Sequence, residues 1–181
     1  LLGEALDVAR GIWEEWARVK ALAALAERLP EGQREAVLGE ALAAARGIEW
    51  EWARAKALAG LAPHLPEGQR EAVLREALDV ARGIRDEWAR AEALAGLVPH
   101  LPEAQREAVL REALDVARGI EEEWERAWVL AALAERLPEG QREAVLGEAL
   151  DVARGIWEKW ARAEALAALA ERLPEGQREA V

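Results

Sequence analysis

Apolar and polar residues alternate with a helical period along a unit of 36 residues that is clearest from Pro66 to Leu101. In its first half the apolar residues fall on one arc of about 160° when successive residues are placed at 100° intervals. The residues on this arc are Val73, Leu74, Ala77, Leu78, Val80 and Ala81. Charged residues fill the opposite side. The pattern predicts an amphipathic helix from Pro66 to Arg82.

The second half of the unit is apolar on two sides over residues 85–98. A broad arc of leucine and valine lies on one side, and a strip of the small residues Ala89, Ala93 and Gly96 lies on another. A helix that is apolar on two sides packs between two neighbours. We therefore predict a second helix from Arg85 to Val98 whose solvent-facing line is narrow.

Proline and glycine separate the two helices. Proline is compatible with a first helical position, so Pro66 is expected to open the first helix. Gly83 follows Arg82 and is expected to end that helix in a left-handed cap. The sequence from Pro99 to Pro102 ends the second helix, because a residue that precedes proline disfavours helical geometry. Such short connections make neighbouring helices antiparallel.

The unit recurs without insertion or deletion. Leu-Pro pairs that stand 36 residues apart begin at Leu29, Leu65, Leu101, Leu137 and Leu173. Such spacing is typical of a repeat array in which each unit buries its apolar face against its neighbours. We predict an all-α fold, an α-solenoid (a right-handed superhelix) of antiparallel two-helix repeats with period 36. The single array over 1–181 comprises partial repeats at 1–29 and 174–181 and complete repeats at 30–65, 66–101, 102–137 and 138–173.

Both ends of the sequence fall within a first helix of the repeat. Two interpretations are open: the sequence is a window of a longer array, or its two half-helices join head to tail between molecules or in a closed ring. In the second case the expected end-to-end contacts are Leu1, Leu2, Leu6 and Val181.

Composition excludes several functions. The formal net charge of −11 and the pI of about 4.9 disfavour a nucleic-acid partner. Apolar runs are too short for a membrane span, and no signal-peptide pattern is present, so we expect a cytoplasmic protein that does not contact membranes. Serine, threonine, cysteine and tyrosine are absent. These absences remove Ser, Thr, Cys and Tyr nucleophiles and thiolate metal ligands, and we expect a protein that is not an enzyme and has neither a metal site nor a cofactor.

Tryptophan is the one aromatic residue type and occurs nine times. Five copies recur every 36 residues, at Trp16, Trp52, Trp88, Trp124 and Trp160, and are expected to pack between repeats. The other four replace residues that are mostly polar in sister repeats. They are Trp13, Trp50, Trp128 and Trp157. Exposed aromatic residues mark recognition surfaces, so these four are the candidate partner-binding residues.

Two functions follow from these patterns. The first is a non-catalytic helical scaffold that binds a protein or peptide along the second helices. The alternative is a structural module that joins head to tail with itself into filaments or rings. His64 and His100 lack neighbouring ligands and are not expected to bind metal.

The segments PHLPE, REAL, AR and DEWARAEALAGL in succession resemble tetratricopeptide-like tandem hairpins. Divergent arrays of this type are attached to some large bacterial NACHT or NB-ARC-type signalling ATPases. The resemblance spans the whole chain and implies stacked helical hairpins.

Overall fold

The computed structural model describes residues 1–173, and within them the chain is all-helical, with no strand. The expected all-α class is confirmed. Ten α-helices are found in this range: α1 (Leu2–Arg10), α2 (Glu15–Ala26), α3 (Glu31–Gly47), α4 (Glu51–Leu61), α5 (Glu67–Arg82), α6 (Glu87–Leu97), α7 (Glu103–Arg118), α8 (Glu123–Ala134), α9 (Glu139–Gly155) and α10 (Lys159–Ala170). Short 3₁₀ turns follow α4 and α6, at Ala62–His64 and Val98–His100. The predicted partial repeat at 174–181 lies outside the described residues.

Helices begin slightly later than the sequence pattern predicts. Pro66 is extended, with ψ of 145°, and its carbonyl accepts the backbone N–H of Arg70 at 3.1 Å, so α5 starts one residue after it. In the next helix the Asp86 carboxylate accepts the backbone N–H of Ala89 at 2.7 Å. This side-chain cap sets the start of α6 after Asp86 rather than at Arg85.

The expected left-handed cap at Gly83 is wrong. Gly83 has φ −76° and ψ −11°, and no described residue has a positive φ. Its N–H instead bonds to the carbonyls of Asp79 and Val80 at 3.1 and 3.2 Å, which tightens the last turn.

Arginine side chains donate hydrogen bonds to backbone carbonyls in the connections between helices. In the first hairpins, Arg54 Nη1 on α4 donates to the carbonyl of Ile48 at the end of α3, at 3.1 Å. The same bond joins Arg18 to Ile12, Arg126 to Ile120 and Arg162 to Ile156.

A second set of arginines binds the connection from one hairpin to the next. Between α4 and α5, Arg70 donates to the carbonyls of Ala62, Pro63 and Leu65 at 3.2 to 3.3 Å. Arg34 and Arg142 act similarly. Both ends of a hairpin are thus held by arginine rather than by glycine.

The chain divides into two compact units. Within the described residues, the first consists of Leu1–Ile84 with Gly96–Glu103, and the second of Arg85–Ala95 with residues 104–173. In the first, consecutive helices from α1 to α5 pack together and α2 also contacts α4. In the second, α9 packs against both α8 and α10, and α8 contacts α10.

Each unit has a core of leucine, valine, isoleucine and alanine. Leu22 and Leu58 are fully buried in the first unit, and Leu130 and Leu146 in the second. Throughout residues 1–173 no polar or charged side chain is buried. The core therefore depends on close packing of small and medium apolar side chains, with charge confined to the surface.

Candidate functional site

A groove of about 390 Å³ lies between α8 and α10 in the second unit. Its lining combines three tryptophans, an alanine-rich floor and one charge of each sign. The lining residues are Trp124, Ala127, Trp128, Trp160, Ala161, Glu164, Ala165, Ala168, Leu169 and Arg172. We call this surface the tryptophan groove.

The positions of the three tryptophans follow from the helix bounds. Trp124 and Trp160 lie in the first turns of α8 and α10, and Trp128 lies one turn after Trp124 on the same face. The floor between them consists mainly of alanine, whose short side chain leaves space above the backbone. The groove is thus lined by three indole side chains and by mainly small apolar residues.

Trp128 contacts two neighbouring side chains, Trp88 and Arg172. Its ring centroid lies 6.3 Å from that of Trp88 on α6, and the two planes are inclined at 38°. The Arg172 guanidinium carbon lies 5.9 Å from the Trp128 ring centroid, within cation–π range. Arg172 Nε also donates to the Glu135 carboxylate at 2.8 Å. Trp128 therefore has an aromatic and a cationic neighbour, while 38% of it is exposed.

The first unit contains the same tryptophan position with a different neighbour. Lys20 Nζ lies 5.2 Å from the Trp16 ring centroid, and Lys56 Nζ lies 5.1 Å from that of Trp52. In each pair the lysine is four residues after the tryptophan, so both lie on one helix face. These rings are occupied by a cation from their own helix.

In the second unit, Glu164 takes the position of that lysine relative to Trp160. Trp160 is 70% exposed, and Glu164 forms no ion pair within residues 1–173. One end of the tryptophan groove therefore presents an uncovered indole face beside an unpaired carboxylate. The other end carries Arg172, which already has two partners.

The four tryptophans singled out in the sequence are not brought together. All four are exposed, but Trp128 alone among them lines the tryptophan groove. Trp13, Trp50 and Trp157 precede the first residues of α2, α4 and α10, so they lie in connections rather than on a helical line. The late start of the second helices explains this difference.

The recurring tryptophans are more exposed than the expected packing role implies. Each of the five is at least 39% exposed, and two of them, Trp124 and Trp160, line the tryptophan groove. Sequence reasoning missed both as site residues. Their place at the edge of the apolar arc was the signal, because an edge residue borders both core and solvent.

The residues expected to make end-to-end contacts differ in their exposure. Leu1 and Leu2 are exposed, whereas Leu6 is 8% exposed because it lies on the face of α1 that is buried in the first unit. Leu6 is therefore not available on the surface. Val181 lies outside the described residues.

His64, a histidine near the end of α4, has a carboxylate neighbour. His64 Nδ1 lies 3.0 Å from a Glu27 carboxylate oxygen. No cluster of three or more metal-ligating side chains occurs in residues 1–173. None of the described helices combines the length and apolar character that crossing a bilayer requires.

No protein family and no curated protein matches the sequence. Among solved structures, the crystal structure of Ton1535 from Thermococcus onnurineus NA1 is similar, with a TM-score of 0.58 and 18% sequence identity. The match covers 92% of this chain and 53% of that one, so the chain spans about half of the length of Ton1535. At this identity the similarity concerns the fold alone.

Proposed function

We propose that the chain is a non-catalytic helical-repeat scaffold that binds a protein or peptide through the tryptophan groove. The observation that carries the proposal is the open arrangement of Trp124, Trp128 and Trp160 above an apolar floor. Tryptophan dominates the energetics of many interfaces because it offers a large, rigid apolar area together with one hydrogen-bond donor. A groove between two helices of one surface suits an extended or helical segment.

The repeat architecture supports this function. We propose that the helices form an α-solenoid of tetratricopeptide-like hairpins with period 36. Its support is that the first helices begin at Glu31, Glu67, Glu103 and Glu139, at equal spacing. A solenoid repeats one surface along its length, so variation at a few positions of that surface makes one segment specific for a partner. The change from Lys20 and Lys56 to Trp128 and Glu164 is variation of this kind.

The test is a selection of short random peptides on the immobilised protein. We expect enrichment on the native chain and its loss on the double variant Trp124→Ala with Trp160→Ala. The matched control is Trp13→Ala with Trp157→Ala, which removes two exposed tryptophans outside the groove. Circular dichroism of each variant establishes that its helices are retained. Absence of enrichment, or equal loss on the control, overturns the proposal.

A further inference from the structure

We propose that the partner of the tryptophan groove is a basic peptide segment, and that one of its lysine or arginine side chains is held between the Trp160 ring and the Glu164 carboxylate. This inference rests on the proposed function and specifies the chemistry of the partner. It is drawn from a comparison of the two units, which carry the same tryptophan beside opposite charges.

The first unit shows what this tryptophan position binds. Lys20 covers Trp16 and Lys56 covers Trp52, with nitrogen-to-centroid distances of 5.2 and 5.1 Å. An ammonium at this distance is attracted by the negative face of the indole ring. The cation in both cases comes from the same helix, so each of these rings already has a cationic partner.

The second unit reverses the charge at that position. A carboxylate, Glu164, stands four residues after Trp160, and Trp160 is 70% exposed. Trp160 therefore has no lysine at this position of its own helix, and the Glu164 carboxylate attracts a cation from a partner instead. Indole face and carboxylate together favour a guanidinium or ammonium, since both interactions strengthen with the positive charge of the ligand.

Trp88 provides an internal contrast. It too is followed four residues later by a glutamate, Glu92, but its ring centroid lies 6.3 Å from that of Trp128, and Trp88 is 39% exposed against 70% for Trp160. Within residues 1–173, Trp160 therefore combines a largely exposed ring with a nearby carboxylate that forms no ion pair, whereas Trp88 already has an aromatic neighbour.

Neighbouring charges orient the ligand. The acidic residues Glu121, Glu122 and Glu123 lead into α8, and Glu158 precedes α10, so the mouth beside Trp124 and Trp160 is mainly negative. Lys159 contributes one exposed positive charge there. The opposite mouth carries Arg172, which repels a second cation. A bound segment is thus expected to place its basic residue near Trp160 and an apolar or acidic residue near Arg172.

The experiment compares three forms of one synthetic amphipathic peptide by isothermal titration calorimetry. The leucine positions are fixed, and the polar positions carry lysine, glutamine or glutamate. We expect the lysine form to bind the native chain and the other two forms to bind at least about tenfold more weakly.

The decisive variant is Glu164→Lys, which reproduces the arrangement of Trp52 with Lys56. We expect it to fold, because the same repeat position already carries lysine twice, and to weaken the lysine peptide about tenfold. Glu143→Lys is the control, since it changes net charge equally at an exposed site of α9 outside the groove. It should leave the affinity within about twofold of the native value.

Three results overturn the inference. Equal weakening by Glu143→Lys means that the acidic chain attracts the peptide without a specific site. If the glutamine peptide binds as tightly as the lysine peptide, and this binding is lost in the double variant Trp124→Ala with Trp160→Ala, a basic side chain is not required. That result contradicts the inference but is consistent with the proposed function. Failure of the lysine peptide to bind at all also contradicts the inference, whereas the unbiased peptide selection decides the proposed function independently.

Discussion

Arg46 and Glu76 are joined by two parallel hydrogen bonds, Nε to Oε1 and Nη2 to Oε2, each 2.8 Å long. They connect the end of α3 to the middle of α5 and are 30 residues apart in sequence. The same pairing joins Arg10 to Glu40 and Arg118 to Glu148. The Arg46 guanidinium lowers the pKa of Glu76 through this hydrogen bond, although partial burial acts in the opposite direction. These bridges link the first helices of successive hairpins.

We predict a measurable coupling between these two side chains. A double-mutant cycle with Arg46→Ala and Glu76→Ala should give a coupling free energy of about 0.5–1 kcal/mol, because the pair is bidentate but partly exposed. Arg75 and Glu71, a single contact of 2.8 Å within α5, form the control pair. Its coupling should be about 0.3 kcal/mol. Chemical denaturation measures both cycles, and a coupling no larger than that of the control contradicts the role of the bridge.

Acid should weaken the protein through the same bridges. Hydrogen bonds from arginine lower the pKa values of Glu40 and Glu76 below the ordinary 4.5. Since the unfolded chain binds these protons more readily, the stabilisation is fully present above pH 4.5 and is lost as the pH falls through the lowered folded-state values. Glu76→Gln should therefore reduce the pH dependence of unfolding below this value. Glu107→Gln, at an exposed pair within α7, is the control, and an equal effect there argues against the assignment.

Gly39 should be replaceable with a gain in stability. It lies inside α3, and a Cβ added there meets no atom within 4 Å. Gly39→Ala is expected to raise the free energy of unfolding by about 0.5–1 kcal/mol, because glycine loses more backbone entropy on folding. At Gly119 an added Cβ would lie 3.3 Å from the Val116 carbonyl oxygen. Gly119→Ala should therefore not raise the free energy of unfolding. Thermal unfolding measures both variants, and a Gly119→Ala protein more stable than Gly39→Ala would contradict this prediction.

The arginines that bind helix-end carbonyls should matter more than surface arginines. Arg54→Met removes the 3.1 Å bond to the carbonyl of Ile48, a buried residue, and should cost about 1–3 kcal/mol. Arg75→Met removes one exposed contact with Glu71 and should cost less than about 0.5 kcal/mol. Urea denaturation of the two variants measures the difference. Similar losses would show that the carbonyl contact does not stabilise the hairpin.

The helical class and most of the buried residues could be predicted from the sequence, because the apolar period of each helix is set by residues close together in the chain. Val73, Leu74 and Ala77 were placed on a core face by spacing alone, and all three are buried. The conformation of Gly83 could not be predicted in this way, since a glycine after a helix is compatible both with a left-handed cap and with the observed tight turn, in which its N–H bonds to the carbonyls of Asp79 and Val80.

The tryptophan groove could not be predicted from sequence spacing, because it is formed by residues that are distant in the chain. Trp124 and Trp160 are 36 residues apart and line one surface because α8 and α10 are neighbours, which depends on how the helices pack. Trp13 and Trp157 looked equally suitable in sequence, yet a shift of two residues in the helix start removes them from the helical face. Single residues at helix ends are thus the least predictable part of the candidate site.

The most direct test of the account is the set of indole N–H resonances of the nine tryptophans, assigned with single Trp→Phe variants, during titration with a peptide enriched in the selection. Binding in the tryptophan groove predicts that the largest shifts belong to Trp124, Trp128 and Trp160, with Trp13, Trp50 and Trp157 nearly unchanged. Shifts that are largest at Trp13, Trp50 or Trp157, or that are spread evenly over all nine, would contradict the central claim.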